Sequence, residues 1–311
     1  MSGSRRSARH QRGIALVLVL WVLTLLTVMA VGLTAAQRTE TALSDNHVSG
    51  ARFRTAADAA IAFTVLVFAM PPPDAADPDV PVWLPNGVAV PWRFGGVDLA
   101  IRVFNEGSRI DLNQATPELL SALLVTLGME EDPATSLAAA IVDWRDEDDL
   151  SLLNGAEDGD YRDVGLTFGA KDAPFVAVEE LMQVLGMTPE IYTRLAPEVS
   201  VDLDGAGFDE RFASAAAIAA TQGIPFEDAQ LRVVERDSPL FDDSSGPRVV
   251  DRAGPLYRIE VAETGPGGGG RRMEALIEST PGQQPPYQVR WRRFGLPGAP
   301  AAPIDGEDDA G

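Results

Sequence analysis

Carboxylate side chains are concentrated in one short stretch of the chain, between residues 143 and 160. Seven of them could bind a cation together: Asp143, Asp146, Asp148, Asp149, Glu157, Asp158 and Asp160. Like charges held this close repel one another, so a folded site that gathers them usually requires a cation. Oxygen ligands suit Ca²⁺, which takes about six to eight of them. The stretch therefore predicts either a calcium site or a solvated acidic loop, in which Asp143 caps a helix or pairs with Arg145.

Other kinds of site are not expected from the residue types. The carboxylates lack the EF-hand spacing Asp-x-Asp-x-Asp-Gly, and no signal of a substrate cleft accompanies them as a glycosidase pair. Cysteine is absent, and the two histidines, His10 and His47, both lie near the N-terminus. Cysteine-based and histidine-based catalytic or metal sites are therefore excluded from the rest of the chain. We predict a protein that is not an enzyme and requires no cofactor, with Ca²⁺ as the open alternative.

The overall charge bears on the class of partner. The 311 residues carry a formal net charge of −21, with 45% hydrophobic and 23% charged residues, which is typical of a folded protein. An acidic body repels phosphate backbones, so no nucleic-acid partner is expected. Positive charge is concentrated at the start, where Arg5, Arg6, Arg9 and Arg12 are the only charged residues before Arg38.

The N-terminal segment predicts a membrane anchor. Residues 14–36 contain no charge and are long enough, at about 1.5 Å per helical residue, to cross a bilayer. The run is too long for a secretory signal peptide. The arginines before it predict a single-pass inner-membrane protein with a cytoplasmic N-terminus and a periplasmic body. The segment fits a plain signal anchor, or a prepilin leader over 1–13 that is cleaved between Gly13 and Ile14.

A single helix is predicted over residues 14–70. Apolar residues continue at near-helical spacing beyond the apolar run, and no proline occurs before Pro71. Three consecutive prolines then end the helix. A membrane helix that continues into a globular body is typical of a type IV pilin-like subunit.

The body is predicted to be strands, a helical insert and strands again. Residues 71–112 form a linker and the first strands of a pilin-like core, and residues 113–200 form the insert. Residues 201–294 complete the core with strands at 231–235, 256–262, 271–278 and 287–291. A Gly-rich loop follows the second of these strands, and residues 295–311 form a disordered tail.

Two hairpins in the insert resemble helix-hairpin-helix modules. Their turns are Leu127-Gly128-Met129 and Leu185-Gly186-Met187, and Thr-Pro-Glu helix starts lie at residues 116 and 188. The second glycine that lets a phosphate approach in DNA-binding modules is missing from both. We therefore expect these hairpins to pack within the protein.

The insert also resembles one known family, the K-type minor pseudopilin of the type II secretion system. The segments that carry the likeness are RIDLN at 109–113, IVDWRDED at 141–148, GAEDGDY at 155–161 and KDAPF at 171–175. Most pilins have Glu at the fifth mature position; here that position is Leu18, and the K-type member is the one known to lack this Glu. The resemblance covers roughly residues 12–295.

The resemblance implies the fold and the partners. The fold class is α+β: a long N-terminal transmembrane helix and an antiparallel pilin-like sheet, interrupted by a large all-α insert with two helix-hairpin-helix-like motifs. The partners are the I- and J-type minor pseudopilins, prepilin peptidase, the secretion inner-membrane platform and membrane lipid. K-type relatives are also known as calcium binders, which favours the calcium interpretation.

The function implied is that of a minor pseudopilin at the pseudopilus tip, which initiates or caps the filament and supports protein export. The alternative is a minor subunit of a type IV pilus or competence pseudopilus with an adhesive or DNA-uptake role. The acidity of the insert disfavours DNA uptake.

Overall fold

The computed structural model describes residues 11–70, 83–237, 252–264 and 270–295. The chain divides into two compact units, Met1–Thr55 and Ala56–Gly311. The predicted linker at 71–79, most of the Gly-rich loop and nearly all of the C-terminal tail lie outside the described residues. The predicted long helix is confirmed as α1, Gln11–Ala69, whose last turns belong to the second unit.

The apolar part of α1 is exposed over the window that the structure describes. The window Leu16–Leu33 has a mean hydropathy of 2.7, and none of it is buried within the protein. Among the described residues, α1 is the one helix long and apolar enough to cross a membrane. An 18-residue helical window spans about 27 Å, close to the thickness of a bilayer's hydrocarbon core.

The second unit contains the predicted antiparallel sheet. Its strands lie in the spatial order β1-β2-β5-β6-β7, and every neighbouring pair is antiparallel. The strands are β1 (Val90–Phe94), β2 (Val97–Asn105), β5 (Leu256–Glu263), β6 (Arg272–Ser279) and β7 (Tyr287–Phe294). The last three confirm the predicted strands at 256–262, 271–278 and 287–291.

The two faces of the sheet differ in polarity. Alternate residues of β2, β5 and β6 form an apolar face, where Ile101 lies opposite Val261 and Val261 lies opposite Met273. The last turns of α1 cover this face, and the Phe68 ring meets Tyr257 at 5.0 Å between centroids. The other face carries charged side chains such as Arg258 and Glu274.

The insert leaves the sheet after β2 and returns at β5, between two strands that are neighbours in the sheet. Its elements are β3 (Ile110–Asp111), α2 (Pro117–Thr126), α3 (Glu131–Arg145), α4 (Asp158–Asp163), α5 (Pro189–Leu195), β4 (Val199–Ser200), α6 (Ala215–Gln222) and α7 (Phe226–Asp237). Strands β3 and β4 pair in parallel and close the insert at its base.

One hydrophobic core unites these helices. Leu120, Leu123 and Leu124 of α2 are completely buried against α3, whose Ile141 is equally buried. Residues of α6 and α7 belong to the same core, so the helical insert extends to Asp237 instead of residue 200. The start of α2 is capped as predicted, because the Thr116 hydroxyl accepts the Leu119 N–H.

Two local predictions differ from the structure. The strand expected at 231–235 is wrong, because this segment lies within helix α7. Ala229 and Val233, four residues apart, face the core, and this helical spacing decides the structure. The first hairpin is formed by α2 and α3, but the leading arm of the second is a 3₁₀ helix, Val178–Gln183. The likeness to helix-hairpin-helix motifs is not confirmed.

Candidate functional site

The processing residues of the N-terminus are placed only by their backbone. Gly13 and Ile14 lie in the first turns of α1, and their side chains are outside what the structure describes. Leu18 lies within the apolar window and is 62% exposed. Cleavage between Gly13 and Ile14 therefore stays a prediction.

The acidic stretch is organised around Asp143, near the end of α3. This residue is completely buried, and its carboxylate accepts the N–H groups of Leu152 (3.2 Å) and Ala156 (2.8 Å). Arg145 does not pair with it, because its guanidinium donates to the carbonyls of Leu112 and Ala115. Asp143 thus holds the loop between α3 and α4, which is neither of the roles expected from the sequence.

Two other carboxylates of the cluster have buried oxygens without a partner. Among the described atoms, Oδ1 of Asp146 and Oε1 of Glu157 are buried and accept no hydrogen bond. Burial raises the pKa of Glu157 to about 7, and the negative charges of Asp143, Asp146 and Asp172 add to the effect. The pKa of Asp146 is raised by burial and then by Asp143 and Asp148. These oxygens are poorly solvated and lie in a negative potential, where a cation would be stabilised.

Three of the remaining predicted ligands, Asp148, Asp158 and Asp160, have partners within the protein. Asp148 accepts the N–H of Leu150 at 2.9 Å, and Asp158 pairs with Arg162 at 3.0 Å. Asp160 accepts the N–H of Glu157 at 2.9 Å and so caps α4. Asp149 is exposed, and its charge raises the pKa of Glu157.

Asp172 joins the cluster although the spacing of the carboxylates did not suggest it. The N–H of Lys171 donates to the Trp144 carbonyl at 3.2 Å, which brings the following residue back towards α3. The pKa of Asp172 is raised by burial and by the charges of Asp149 and Asp158. Its backbone has a φ of +54°, a conformation that Asp adopts more readily than most residues.

Calcium fits the chemistry of these donors. Within the described parts of the chain, no three Asp, Glu or His residues converge closely enough to form a finished metal site. However, Asp146 and Glu157 supply unpartnered buried oxygens, and Asp149 and Asp172 supply charge nearby. Hard oxygen donors of this kind favour Ca²⁺ over softer metals. These four carboxylates are the ones that would hold it.

Aromatic rings support the acidic cluster from the core side. Trp144 of α3 lies 5.8 Å from Tyr161 and 6.5 Å from Phe175, measured between ring centroids. The Tyr161 hydroxyl accepts the Leu185 N–H at 3.0 Å, and burial raises its pKa to about 12. Trp144 is therefore a core residue, and it fixes the end of α3 that bears the carboxylates.

A second polar site lies where the insert meets the sheet. Arg258 of β5 binds the buried carboxylate of Glu106 and also Glu274 at 2.9 Å. The guanidinium groups of Arg258 and Arg293 lie over the Trp291 ring, at 5.3 Å and 4.5 Å from its centroid. A cavity of about 90 Å³ lies beside these residues. All its charged groups pair within the protein, so this site joins the insert to the sheet.

Part of the chain matches a known protein family. Residues 102–202 match the family described as "Type II secretion system (T2SS), protein K". This range includes the end of β2, most of the insert and every candidate metal ligand named above.

Curated relatives have the same description. Type II secretion system protein K of Klebsiella pneumoniae is 30% identical over 209 residues, which cover 61% of this chain and 62% of that protein. The protein of the same name from Dickeya chrysanthemi is 36% identical over 84 residues, 27% of this chain and 23% of the relative. The matches therefore cover less than two thirds of either relative's length.

The fold is also similar to that of a solved structure. It is a chain of the GspK–GspI–GspJ complex from the type 2 secretion system of enterotoxigenic Escherichia coli. The TM-score is 0.55, the identity is 17%, and the match covers 81% of this chain and 98% of that one. At this identity the likeness concerns the fold: mixed helix and antiparallel sheet with one N-terminal apolar helix.

Proposed function

This chain belongs to the minor pseudopilin K family of the type II secretion system, and from that premise we propose that it caps the tip of the secretion pseudopilus. The observation that carries the proposal is the insert itself. It emerges between the neighbouring strands β2 and β5 and has its own core of α2, α3, α6 and α7. A domain of this size projecting from the sheet suits a terminal subunit better than a unit repeated along a filament.

Leu18 supports the same position. A carboxylate within lipid is costly and is kept where it meets a partner charge, such as the N-terminal amine of a neighbouring subunit. Leu18 offers no such charge and lies within the exposed apolar window of α1. A subunit with no neighbour above it would not need one. The anchor would lie in the inner membrane, with the second unit in the periplasm, because arginines precede the apolar run.

The proposed partners are the I- and J-type minor pseudopilins. The relative of similar fold was solved in complex with GspI and GspJ, and a shared fold makes equivalent surfaces available here. Prepilin peptidase, the inner-membrane platform and lipid complete the set. In this role the protein is structural and performs no catalysis.

The test of the assembly uses the full-length chain produced together with the I- and J-type pseudopilins of its own secretion system. We expect the three proteins to co-purify from detergent-solubilised membranes, and an antibody against the insert to label one end of overproduced pseudopili. Label distributed along the filaments would overturn the tip position. Separate elution of the three proteins would overturn the partner assignment.

Processing is a separate proposal with its own test. We propose that prepilin peptidase cleaves between Gly13 and Ile14 and that the new amine of Ile14 becomes methylated. Mass spectrometry of the N-terminal peptide from membrane-extracted protein should show this end, and Gly13→Val should retain the leader. Cleavage after Ala35 or Ala36 would instead indicate a secretory signal.

We also propose that Asp146 and Glu157 bind Ca²⁺ with help from Asp149 and Asp172. A ligand that binds only the folded state stabilises it by RT ln(1 + [L]/Kd), about 2.7 kcal/mol at a hundredfold excess over Kd. The full-length protein should therefore melt several degrees higher in millimolar Ca²⁺ than in chelator. Mg²⁺ should substitute poorly because it requires a tight octahedron.

Two variants make the calcium test specific. Asp146→Asn removes charge from a carboxylate whose Oδ1 is buried without a hydrogen-bond partner and should abolish most of the calcium effect. Asp163→Asn, an exposed residue at the end of α4, removes the same charge outside the proposed set and should preserve it. Equal melting temperatures of the unchanged protein in calcium and chelator would identify the stretch as a solvated acidic loop.

A further inference from the structure

The loop between α3 and α4 exposes two leucines almost completely. Leu150 is 77% exposed and Leu153 is 87% exposed. A single exposed apolar side chain needs no explanation, but a group of them rimmed by polar residues marks an interaction site. Covering each leucine with a partner would remove a large apolar area from water.

These leucines are held in place by the structure beneath them. The backbone of Leu152, between them in sequence, donates to the buried Asp143 carboxylate, and Ala156 does the same. Asn154 adopts a φ of +66°, so the chain turns sharply between Leu153 and this second anchor. A loop fixed at both ends presents its side chains without a large ordering cost on binding, which favours recognition.

A second loop adds apolar side chains beside the first. Val164 is 61% exposed and Phe168 is 42% exposed, and the Phe168 ring packs on Trp144 at 6.4 Å. The N–H of Lys171, three residues after Phe168, donates to the Trp144 carbonyl at 3.2 Å, which holds the second loop beside the end of α3 where the first loop begins. We call Leu150, Leu153, Val164 and Phe168 the leucine surface.

Negative charge surrounds this leucine surface. Glu147, Asp148 and Asp149 are exposed immediately before Leu150, and Asp163 is exposed immediately before Val164. Arg162, the cation in this part of α4, already pairs with Asp158. The rim would repel anionic lipid headgroups and nucleic-acid phosphates, and it would attract lysine and arginine.

We propose that the leucine surface is a docking site for a protein segment that presents apolar side chains flanked by lysine or arginine. Apolar contact with Leu150 and Leu153 would supply affinity, and the acidic rim would supply orientation and selectivity. The inference goes beyond the proposed position in the pseudopilus and depends neither on that position nor on calcium. Calcium bound in the cluster would weaken the rim charge and leave the leucines exposed.

A binding experiment with the full-length chain in lipid nanodiscs tests the surface directly. The probe is a synthetic amphipathic helical peptide with leucines on one face and lysines on both flanks. Two matched peptides replace the lysines with glutamate or the leucines with serine. We expect both changes to weaken binding by about tenfold or more, with and without Ca²⁺.

Variants of the chain test whether the peptide binds the leucine surface or is attracted only by the negative charge of the whole protein. Leu150→Ser with Leu153→Ser should weaken binding of the lysine–leucine peptide by about tenfold. Leu231→Ser removes a leucine that is 68% exposed on α7 and should leave binding unchanged. Equal binding by the double variant and the unchanged protein would overturn the proposal, because charge alone would then explain the affinity.

Photo-crosslinking in cells tests for a natural partner. A photoreactive amino acid at position 153 should yield adducts that map to protein segments with basic and apolar residues. The same probe at position 231 should not yield those adducts. Adducts to lipid alone, or none from position 153 in cells that are actively secreting, would contradict the proposal.

Discussion

The Glu106 carboxylate accepts two hydrogen bonds from the Arg258 guanidinium, one from Nε at 2.8 Å and one from Nη2. Glu106 lies in the turn that follows β2, where the chain leaves the sheet, and Arg258 lies within β5, the next strand of the sheet. The Ser200 hydroxyl of β4 donates to the same carboxylate. One buried group therefore joins the start of the insert, its base and the sheet.

The first prediction concerns this pair. Glu106 is completely buried, and although burial alone raises its pKa, Arg258 and Arg109 outweigh that effect and hold the pKa at about 2. Glu106→Gln would leave the Arg258 charge without its main partner in the interior. Breaking a buried pair in this way costs about 3–5 kcal/mol. Urea unfolding of the second unit, monitored by tryptophan fluorescence, should show that loss in the free energy of unfolding.

A control within the same sheet distinguishes the cost of breaking a buried ion pair from the cost of removing one exposed charge. Asp98→Asn breaks the exposed pair with Arg93 and should cost less than about 1 kcal/mol. Acid titration supplies a second measurement, because a lowered carboxyl pKa gives stability that is present above its ordinary value of 4.5 and is lost as the pH falls towards 2. Glu106→Gln should remove that part of the acid dependence, and an unchanged profile would contradict the assignment.

The sequence predicted α1 and three C-terminal strands because each has a strong local signal. The uncharged run before Arg38 and the prolines from Pro71 mark a long helix by composition alone. Strand β5 alternates between apolar and charged residues, and the Gly-rich loop before β6 separates the two. Signals of this kind need no knowledge of distant contacts.

The features of the fold and of the site that the sequence did not predict depend on contacts between residues far apart in the chain. Helix α7 has apolar residues that also fit a short strand, and its packing on the insert core decides the outcome. Glu106 and Arg258 are 152 residues apart, and no local pattern marks either as buried. Asp172 joins the acidic cluster only because Lys171 binds the backbone of Trp144. Spacing along the chain could not indicate these contacts.

The second prediction concerns Gly155, which lies against the Asp143 carboxylate. A Cβ at this position would come within 1.9 Å of Oδ2, so Gly155→Ala must displace the carboxylate that holds Leu152 and Ala156. Leaving these groups partly unpaired should cost about 1–3 kcal/mol. Gly159→Ala in α4 meets nothing within 4 Å and should be neutral or slightly stabilising. Thermal unfolding of the two variants is the test. Equal melting temperatures would contradict the proposal that Asp143 holds the loop between α3 and α4.

The third prediction concerns Leu18. If this subunit has no neighbour whose amine needs a carboxylate, Leu18→Glu should not improve secretion or assembly. It would place an unpaired acid in the apolar window of α1, at a cost set by the lipid environment. Secretion measured in a strain that lacks the native copy is the test, with Leu18→Gln as the uncharged control. Improved secretion with Glu alone would indicate a neighbouring amine and contradict a terminal position.

The fourth prediction follows from Glu157, whose pKa is raised from 4.5 to about 7, first by burial and then by nearby carboxylates. A raised carboxyl pKa means that its contribution to stability is fully present below its ordinary value and is lost as the pH rises through about 7. In chelator, the protein should therefore melt at progressively lower temperature over this range, and Glu157→Gln should reduce that fall. Calcium binds the ionised carboxylate, so the melting shift caused by calcium should grow between about pH 5 and about pH 8. Glu157→Gln should show only a small calcium-induced shift in melting temperature at both pH values. A calcium effect that is the same at both pH values in the unchanged protein would show that Glu157 does not bind the ion.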